Sequence, residues 1–188
     1  MRRNLPKARS TRKGAVTLRL RLRRVKLFLC DVDGILTDGT VFITSDGEMK
    51  QFNILDGLGL RFLQQHGVKV GWISNRPSRV TERRATELKV DFLVQQKGGT
   101  KVAAVEKILA ETGLTFDDVC FMGDDIVDVA VLRRAGLAVA VPAGIAETKQ
   151  LAHYITEAAA GRGAVREVAE MILKAQGKWS GLVQEFLA

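Results

Sequence analysis

Two groups of aspartates follow short apolar runs that have the composition of buried strands. The members are Asp31 and Asp33 in the first group, and Asp124, Asp125 and Asp128 in the second. Crowded carboxylates repel one another, and a hard divalent cation such as Mg²⁺ relieves that repulsion. A carboxylate can attack phosphorus as a nucleophile, and a second carboxyl two residues further on can transfer protons. The aspartates therefore indicate phosphoryl transfer assisted by magnesium.

Two further groups could hold the phosphoryl oxygens. Ser74 ends another apolar run and precedes Asn75 and Arg76, while Lys101 starts a segment with helical periodicity. A hydroxyl and an ammonium group can stabilise a phosphoryl group as its charge redistributes. Each residue alone has an ordinary explanation, since Ser74 could cap a helix, Lys101 could be solvated and the aspartates could serve turns or helix starts. Their occurrence together, each beside the end of an apolar run, favours a functional site.

Short apolar runs alternate with helical segments from residue 25 onward. We predict strands at 25–30, 69–74, 91–95, 119–122 and 137–141, and helices at 57–66, from Pro77, at 100–112, up to Ala135 and at 164–175. This alternation predicts an α/β fold, a Rossmann-like doubly wound parallel sheet covered on both faces. Ligands bind beyond the carboxyl ends of the strands in such sheets, so four successive junctions would bring the polar residues to one rim.

Residues 40–52 interrupt this alternation with two β-rich runs around Asp46-Gly47. Such a pattern predicts a β-hairpin. No other insertion is long enough to form a separate cap domain, so we predict one phosphatase-like domain over residues 25–188 with the hairpin as its only substantial insertion.

The net charge of +8 is unevenly distributed. Residues 1–26 hold eleven basic and no acidic residues, which leaves 18 basic and 21 acidic residues in the rest of the chain. We interpret residues 1–24 as a basic, disordered extension. Contact with nucleic acid or an anionic membrane, or a targeting role, stays open for this segment. The mildly acidic remainder argues against a broad basic face for nucleic acid.

Cys30 and Cys120 each lie inside an apolar run, which predicts two buried thiols and no disulfide framework. No run reaches the roughly 18 apolar residues that span a bilayer, so we expect no membrane partner. A cytoplasmic location is therefore expected.

The polar residues resemble the four motifs of the haloacid dehalogenase superfamily. Residues 31–39, Asp-Val-Asp-Gly-Ile-Leu-Thr-Asp-Gly, resemble the first motif, Ser74 the second, Lys101 the third and residues 123–128 the fourth. Further segments resemble the lidless branch that contains the 3-deoxy-D-manno-octulosonate 8-phosphate phosphatases; they are Phe52-Asn53, 56–59, 73–76, 161–168 and 175–179. The resemblance implies a phosphomonoester hydrolase of lipopolysaccharide biosynthesis that forms an aspartyl-phosphate. It also implies a homotetramer whose hairpins build a barrel-like centre and whose neighbouring subunits close each active site.

The resemblance implies roles for the polar residues. Asp31 would be the nucleophile and a Mg²⁺ ligand, and Asp33 the acid/base and a ligand through its backbone carbonyl. Asp124 would complete the ligand set. Ser74 and Lys101 would bind the phosphoryl group. The supporting residues would be Asp125 and Asp128, the latter orienting Lys101.

The same resemblance implies a substrate-binding set. Its members would be Asp33, Asn53, Ile54, Leu55, Asp56, Gly57, Arg61, Arg76, Arg84 and Lys101. A phosphorylated sugar acid carries a carboxylate besides its phosphate, and arginine suits bidentate recognition of such groups. One departure from the family pattern is Asn75, which stands where glycine is usual and could alter the loop that carries Arg76.

Other functions stay open at this point. A nonulosonate 9-phosphate phosphatase, acting on the 9-phosphate of KDN or an N-acylneuraminate, is the nearest alternative, although such relatives tend to carry glutamate where Arg76 stands. A broad sugar-phosphate phosphatase is a second, since an open site could admit several substrates. A receiver-type phosphoacceptor, a subunit serving a partner enzyme and a nucleic-acid-binding module are further alternatives. Asp33 argues against the phosphoacceptor, which lacks a second carboxyl at this spacing.

Overall fold

Eight short strands form two separate sheets in the computed structural model, which describes residues 17–187. In chain order they are β1 (Leu27–Cys30), β2 (Phe42–Thr44), β3 (Gly47–Met49), β4 (Lys69–Ser74), β5 (Phe92–Gln95), β6 (Val119–Met122), β7 (Leu137–Ala140) and β8 (Tyr154–Ile155). Six of them form a parallel sheet in the order β5-β4-β1-β6-β7-β8, and β2 pairs with β3 in an antiparallel hairpin.

Within residues 17–187, eight helices connect and cover these strands. They are α1 (Leu18–Arg24), α2 (Ile54–Gln65), α3 (Arg79–Leu88), α4 (Val102–Thr112), α5 (Val129–Leu132), α6 (Ala146–Leu151), α7 (Ala164–Ala175) and α8 (Trp179–Glu185). Two 3₁₀ turns lie at Phe116–Asp118 and Ile126–Asp128. Among the helices described, none is both long and apolar enough to cross a membrane.

Both faces of the parallel sheet are covered, because every residue of β1, β6 and β7 is buried. Alternate residues of a strand point to opposite faces. Phe28 and Trp72 belong to the core under α2 and α7, whereas Leu29 and Phe121 belong to the core under α4 and α5. The predicted doubly wound parallel sheet is therefore confirmed.

The strand register fixes which residues share the functional edge. β1 lies between β4 and β6, with Cys30 beside Trp72 of β4 and Met122 of β6. The residues that follow Cys30 and Met122, together with the end of β4, consequently meet at one rim of the sheet.

The basic extension differs from its predicted boundary. Residues 18–24 form α1, where we expected disorder through residue 24; residues 1–16 lie outside the described part of the chain. Leu18 and Leu22 lie one helical turn apart and pack into the core beside α7, and Leu22 is buried. Gln176, the C-cap residue of α7, donates to the carbonyl of Val25 over 2.8 Å. The segment forms an amphipathic helix, which was not predicted because arginines alternate with the leucines.

Several predicted elements have different bounds in the structure. The helix expected to run to Ala135 is a 3₁₀ turn followed by the short α5, and the helix expected from Pro77 begins at Arg79 with Ser78 as its N-cap. The edge strand β8 was not predicted, because two residues with mixed burial carry little strand pattern.

Candidate active site

A cleft of about 230 Å³ opens at the carboxyl ends of β4, β1 and β6. Its lining comprises Asp31, Asp33, Ser74, Asn75, Arg76, Asp124, Asp125 and Val127. The cleft therefore brings together residues from three neighbouring strand ends.

Lys101 lies at the floor of the site, which is formed by the polar residues that follow the strands of the parallel sheet. It has no exposed surface, so it lies beneath the residues that line the cleft. Its ammonium nitrogen lies 2.8 Å from Asp31 Oδ2 and 2.7 Å from Asp128 Oδ1. Burial alone would lower the pKa of Lys101, but the carboxylates of Asp128 and Asp31 raise the pKa above its ordinary value. Lys101 is therefore a fixed positive charge held beside the carboxylate of Asp31.

Asp31 directly follows β1 and is itself buried. Its Oδ1 accepts a hydrogen bond of 2.6 Å from the amide of Val32, which leaves Oδ2 to Lys101. Burial raises the pKa of Asp31 to about 6, opposed by Lys101 and assisted by the charge of Asp128. Its ionised form therefore depends on compensating positive charge.

Asp128 supports this arrangement and is also fully buried. One carboxylate oxygen binds Lys101, and the other accepts from the backbone amides of Asp124 at 3.0 Å and Asp125 at 3.3 Å. A side chain on Gly123 would place its Cβ 2.5 Å from Asp128 Cβ, so glycine leaves room for this contact. Both oxygens of Asp128 are engaged, so it fixes the loop after β6 and the position of Lys101.

Asp124 differs from Asp128 because one of its oxygens lacks a partner. Oδ1 is buried and accepts no hydrogen bond from the residues described. Burial raises the pKa of Asp124 to about 7, and the neighbouring charges of Asp31 and Asp128 add to this effect. A free buried carboxylate oxygen facing other carboxylates is the kind of donor that a divalent cation takes.

The acidic residues fit a divalent cation. Asp31, Asp124 and Asp128 can each offer an oxygen within 4.8 Å of the others, although Asp128 is engaged as described. Gly34 adopts φ +92°, and a Cβ at this position would lie 2.2 Å from Asp124 Oδ2. Glycine thus allows Asp124 to approach the loop after β1.

Asp33 lies at the mouth of the cleft, where the hairpin contributes a contact that we did not predict. The ammonium nitrogen of Lys50 lies 2.7 Å from Asp33 Oδ1 and 2.8 Å from Oδ2. The same group also donates to Thr81 Oγ1 over 3.2 Å. The hairpin therefore reaches one of the predicted catalytic residues directly.

The loop after β4 is held by its own side chains. Ser74 Oγ accepts from the amide of Arg76 over 3.0 Å, and Asn75 donates to the carbonyl of Gly99 over 2.9 Å and accepts from Gln96. Lys89 is the only non-glycine residue with positive φ among those described, so Asn75 does not need the left-handed conformation. Asn75 instead links two loops that border the cleft.

Arg76 points toward the hairpin. Its guanidinium pairs with Glu48 of β3, and Ser78 Oγ donates to the same carboxylate. The hydrogen bond from Arg76 is the main reason why the pKa of Glu48 is lowered. Arg76 thus lines the cleft while one side of its guanidinium is engaged by an acid.

The other expected substrate-binding residues are not among those that line the cleft of this chain. Asn53 is the N-cap of α2, and Ile54 and Leu55 at its start are 72% and 55% exposed. Asp56 is buried and accepts from the amide of Arg166 over 2.8 Å, which ties α2 to α7.

The remaining three lie between α2 and α3. Gly57 faces Arg84, whose Nη2 would be 2.6 Å from an added Cβ. Arg84 also pairs with Glu87 over 2.8 Å, and Arg61 donates to the carbonyl of Leu88 over 3.3 Å. The hydrogen bond of Arg61 links the two helices in the single chain, whereas the pair of Arg84 and Glu87 lies within α3.

Sequence reasoning missed Glu48, Lys50 and Thr81 as neighbours of the site. The sequence did contain an indication for the two hairpin residues, because Glu48 and Lys50 are two positions apart and therefore share one face of an extended segment. Charged residues in a predicted hairpin are ordinarily solvated, so Glu48 and Lys50 were not predicted to contact the site.

Comparison with known proteins agrees with this geometry. The haloacid dehalogenase-like hydrolase family matches residues 92–168. The 3-deoxy-D-manno-octulosonate 8-phosphate phosphatase of Yersinia pestis is 38% identical over 162 residues, which are 86% of each chain.

Solved structures give the same result. The chain is similar to the 3-deoxy-D-manno-octulosonate 8-phosphate phosphatase of Moraxella catarrhalis, in complex with magnesium, phosphate and KDO, with 38% identity and a TM-score of 0.86. That match covers 89% of this chain and 97% of the other. The cobalt-bound form of the Haemophilus influenzae phosphatase matches with 32% identity and a TM-score of 0.84, over 89% and 99% of the two chains. The chain therefore belongs to the haloacid dehalogenase-like hydrolases, in the family of the 3-deoxy-D-manno-octulosonate 8-phosphate phosphatases.

Proposed function

We propose that this phosphatase hydrolyses 3-deoxy-D-manno-octulosonate 8-phosphate to the free sugar acid and phosphate, a step of lipopolysaccharide biosynthesis. The observation that carries the proposal is the buried contact of Lys101 with Asp31 and Asp128 beside the unpartnered oxygen of Asp124. The arrangement supports the proposal, because a carboxylate suited to nucleophilic attack, a fixed positive charge and a free carboxylate oxygen lie together at the sheet edge.

The first chemical step is assigned to Asp31. Its carboxylate oxygen forms a bond to phosphorus while the bond from phosphorus to the sugar oxygen breaks, which gives an aspartyl-phosphate. Lys101 and Ser74 hold the phosphoryl oxygens as their charge changes, and the buried Lys101 is already positioned for this role. Asp128 keeps Lys101 in place through its 2.7 Å contact.

The proton transfers are assigned to Asp33, which lines the cleft two residues after the nucleophile. Its carboxylic acid gives a proton to the departing sugar oxygen. The resulting carboxylate then takes a proton from the water that attacks the aspartyl-phosphate, which releases phosphate and restores Asp31.

Asp31, Asp124 and the backbone carbonyl of Asp33 would hold Mg²⁺, and Asp125 would support the loop that carries Asp124. When bound, Mg²⁺ neutralises charge on the phosphoryl group and on the surrounding carboxylates. The raised pKa values of Asp31 and Asp124 support this assignment, because buried acids need compensating positive charge to stay ionised.

Recognition of the sugar acid is assigned first to Arg76, the arginine that lines the cleft. A guanidinium group can bind the substrate carboxylate through two parallel hydrogen bonds. The family resemblance adds Asn53 to Gly57, Arg61 and Arg84 to the substrate site. Because these residues lie away from the cleft of their own chain, they would contribute in an assembly or after rearrangement.

We further propose a homotetramer. The hairpin exposes Phe42, Ile43 and Met49, and Ile43 is 74% exposed. Ile54 and Leu55 at the start of α2 are also largely exposed. Exposed apolar side chains grouped on a hairpin are typical of a surface that another chain covers.

A cytoplasmic location is proposed as well. Cys30 and Cys120 are both buried and unpaired, and free thiols of this kind suit a reducing compartment.

A phosphate-release panel tests the proposed function. The purified chain is offered octulosonate 8-phosphate, nonulosonate 9-phosphates and common hexose phosphates, each with Mg²⁺ or with a chelator. We expect the highest kcat/KM on octulosonate 8-phosphate and no turnover with the chelator. A higher kcat/KM on a nonulosonate would contradict the substrate, and full activity in the chelator would contradict the role of Mg²⁺.

A further inference from the structure

Lys50 is a buried lysine with a specific partner in the cleft. It directly follows β3, and its side chain has no exposed surface. By contrast, the side chain of Lys26, which pairs with Asp118 over 2.9 Å, is 64% exposed. A lysine side chain is rarely buried without a function or a fixed counter-ion, because removing its ammonium group from water is costly.

The surroundings of the Lys50 ammonium group fix its position. Asp33 Oδ2 accepts a hydrogen bond over 2.8 Å, Asp33 Oδ1 lies 2.7 Å away as an ion-pair contact, and Thr81 Oγ1 accepts over 3.2 Å. Thr81 belongs to α3 and is itself fully buried. Lys50 thus joins three parts of the molecule, namely the hairpin, the loop after β1 and α3.

Asp33 needs such a restraint. Its side chain is 21% exposed at the mouth of the cleft, whereas Asp31 is held by the amide of Val32 and by Lys101. A proton donor must lie within hydrogen-bond reach of the leaving oxygen, and rotation toward solvent would remove it. Among the residues described, only Lys50 hydrogen-bonds to the carboxylate oxygens of Asp33.

We propose that Lys50 is a positioning residue that holds the Asp33 carboxyl group in the cleft for its proton transfers. This inference rests on the proposed function, because it concerns the acid and base steps assigned to Asp33. The Lys50 ammonium group can donate to Asp33 in both states, since a protonated carboxyl group still offers an acceptor oxygen.

With Lys50 in this role, the hairpin would take part in proton transfer in addition to exposing an apolar surface. Glu48 and Lys50 lie on the same face of the extended segment, and they contact Arg76 and Asp33 respectively. A displaced hairpin would release the Asp33 contact while the contact between Lys101 and Asp31 stayed in place. Positioning of the acid would then depend on the hairpin, whereas positioning of the nucleophile would not.

The test measures how kcat/KM depends on the leaving group. The substrates are octulosonate 8-phosphate, whose alkoxide leaves poorly, phenyl phosphate and 4-nitrophenyl phosphate, whose nitrophenolate leaves without a proton. Removing a general acid costs on the order of 10²- to 10⁴-fold where a proton is needed. For Lys50→Met we expect about a 10²-fold loss on the sugar phosphate and less than about a tenfold loss on 4-nitrophenyl phosphate.

A double-mutant cycle identifies the residue through which Lys50 acts. Asp33→Asn should show the same trend across the leaving groups, and adding Lys50→Met to Asp33→Asn should cause little further loss. Lys26→Met removes a lysine ion pair outside the cleft and should leave every rate near that of the wild type. Should Lys50→Met fail to fold, Lys50→Gln takes its place with the same two expected results.

Two outcomes would overturn the proposal. Equal losses on all three substrates would mean that Lys50 has a general structural role. A loss that multiplies that of Asp33→Asn would mean that it acts on another group. The wild type could instead show no hydrolysis of octulosonate 8-phosphate while the variants show the expected trend between the two aryl phosphates. That result would contradict the proposed substrate but would support the role of Lys50.

Discussion

The floor of the cleft and the hairpin beside it differ sharply in how their residues are held. On the floor, Lys101 and Asp128 have no exposed surface and every polar atom at their ends has a partner. On the hairpin, strands of three residues leave Phe42, Ile43 and Met49 exposed. The groups assigned to phosphoryl transfer on the floor are therefore held by contacts within one chain, whereas the hairpin surface keeps apolar side chains exposed.

The contrast has a physical origin. The floor residues follow parallel strands that are buried on both faces, so the sheet itself determines their positions. The hairpin is an isolated two-stranded sheet, and such a sheet has marginal stability without packing partners. Four experiments, in order of expected effect, test whether the floor serves the chemical steps while the hairpin serves substrate recognition and assembly.

The largest effect should come from the floor. Asp31→Asn removes the nucleophilic carboxylate but keeps the shape of the side chain, so we expect a loss of kcat of at least about 10⁴-fold with the melting temperature nearly unchanged. Phosphate release and thermal unfolding measure the two quantities. Asp117→Asn is the matched control, because Asp117 is exposed on the 3₁₀ turn before β6. Hydrolysis retained by Asp31→Asn would refute the assignment of the nucleophile.

A smaller and more selective effect is expected at Arg76. Arg76→Ala should raise KM for octulosonate 8-phosphate by roughly 10- to 100-fold, in line with the loss of a charge-assisted hydrogen bond. The KM for 4-nitrophenyl phosphate should change little, because that substrate has no carboxylate. Steady-state kinetics on both substrates provides the measurement. An equal rise on both would show that Arg76 binds the phosphate instead of the sugar.

The hairpin itself should affect assembly more than chemistry. The double substitution Ile43→Ser and Met49→Ser removes exposed apolar area, so we expect a smaller oligomer and a loss of kcat/KM on the sugar phosphate of about tenfold. Light scattering coupled to gel filtration gives the mass. Leu20→Ser changes an exposed leucine of α1 and should leave the mass unchanged. An unchanged mass in the double variant would argue against the hairpin as the interface.

The smallest expected effect is on how thermal stability depends on pH and Mg²⁺. The pKa of Asp31 is raised to about 6 and that of Asp124 to about 7, so the folded state binds these protons more tightly than the unfolded chain does. Without metal, this contribution to stability is present at low pH and is lost as the pH rises through about 7. Mg²⁺ replaces the lost protons as the compensating charge.

Added Mg²⁺ should consequently raise the melting temperature more at pH 8 than at pH 5, by roughly 2 to 4 °C for each kcal/mol of difference. Thermal unfolding at both pH values provides the measurement. Asp124→Asn should remove most of the difference. A larger Mg²⁺ effect at pH 5 would contradict the assignment of the raised pKa values to these two acids.

The sequence allowed the floor of the site to be predicted because its residues occupy ends of parallel strands. Such positions are read from short apolar runs, and their meeting point follows from the general geometry of open α/β sheets. Asp31, Ser74 and Asp124 accordingly line one cleft, and Lys101 contacts Asp31. The role of each residue remains a prediction.

Other features of the structure could not be predicted from the sequence, because they depend on contacts between distant elements. The contact between Lys50 and Asp33 joins residues from different elements, and no local periodicity encodes the direction in which a hairpin folds over a sheet. The helix α1 was missed because its arginines outweigh the two leucines that pack inward. The positions of Arg61 on α2 and Arg84 on α3 likewise depend on packing between these two helices.

The helix α1 also bears on how the protein can be shortened. Leu22 is buried, and Arg21 donates over 2.5 Å to the carbonyl of Gly136, which directly precedes β7. A truncation beginning at Val25 would uncover apolar surface on α7 and leave the side chain of Gln176 without one of its two carbonyl acceptors. The minimal folding unit thus starts several residues upstream of the first strand, within a segment whose composition alone marks it as dispensable.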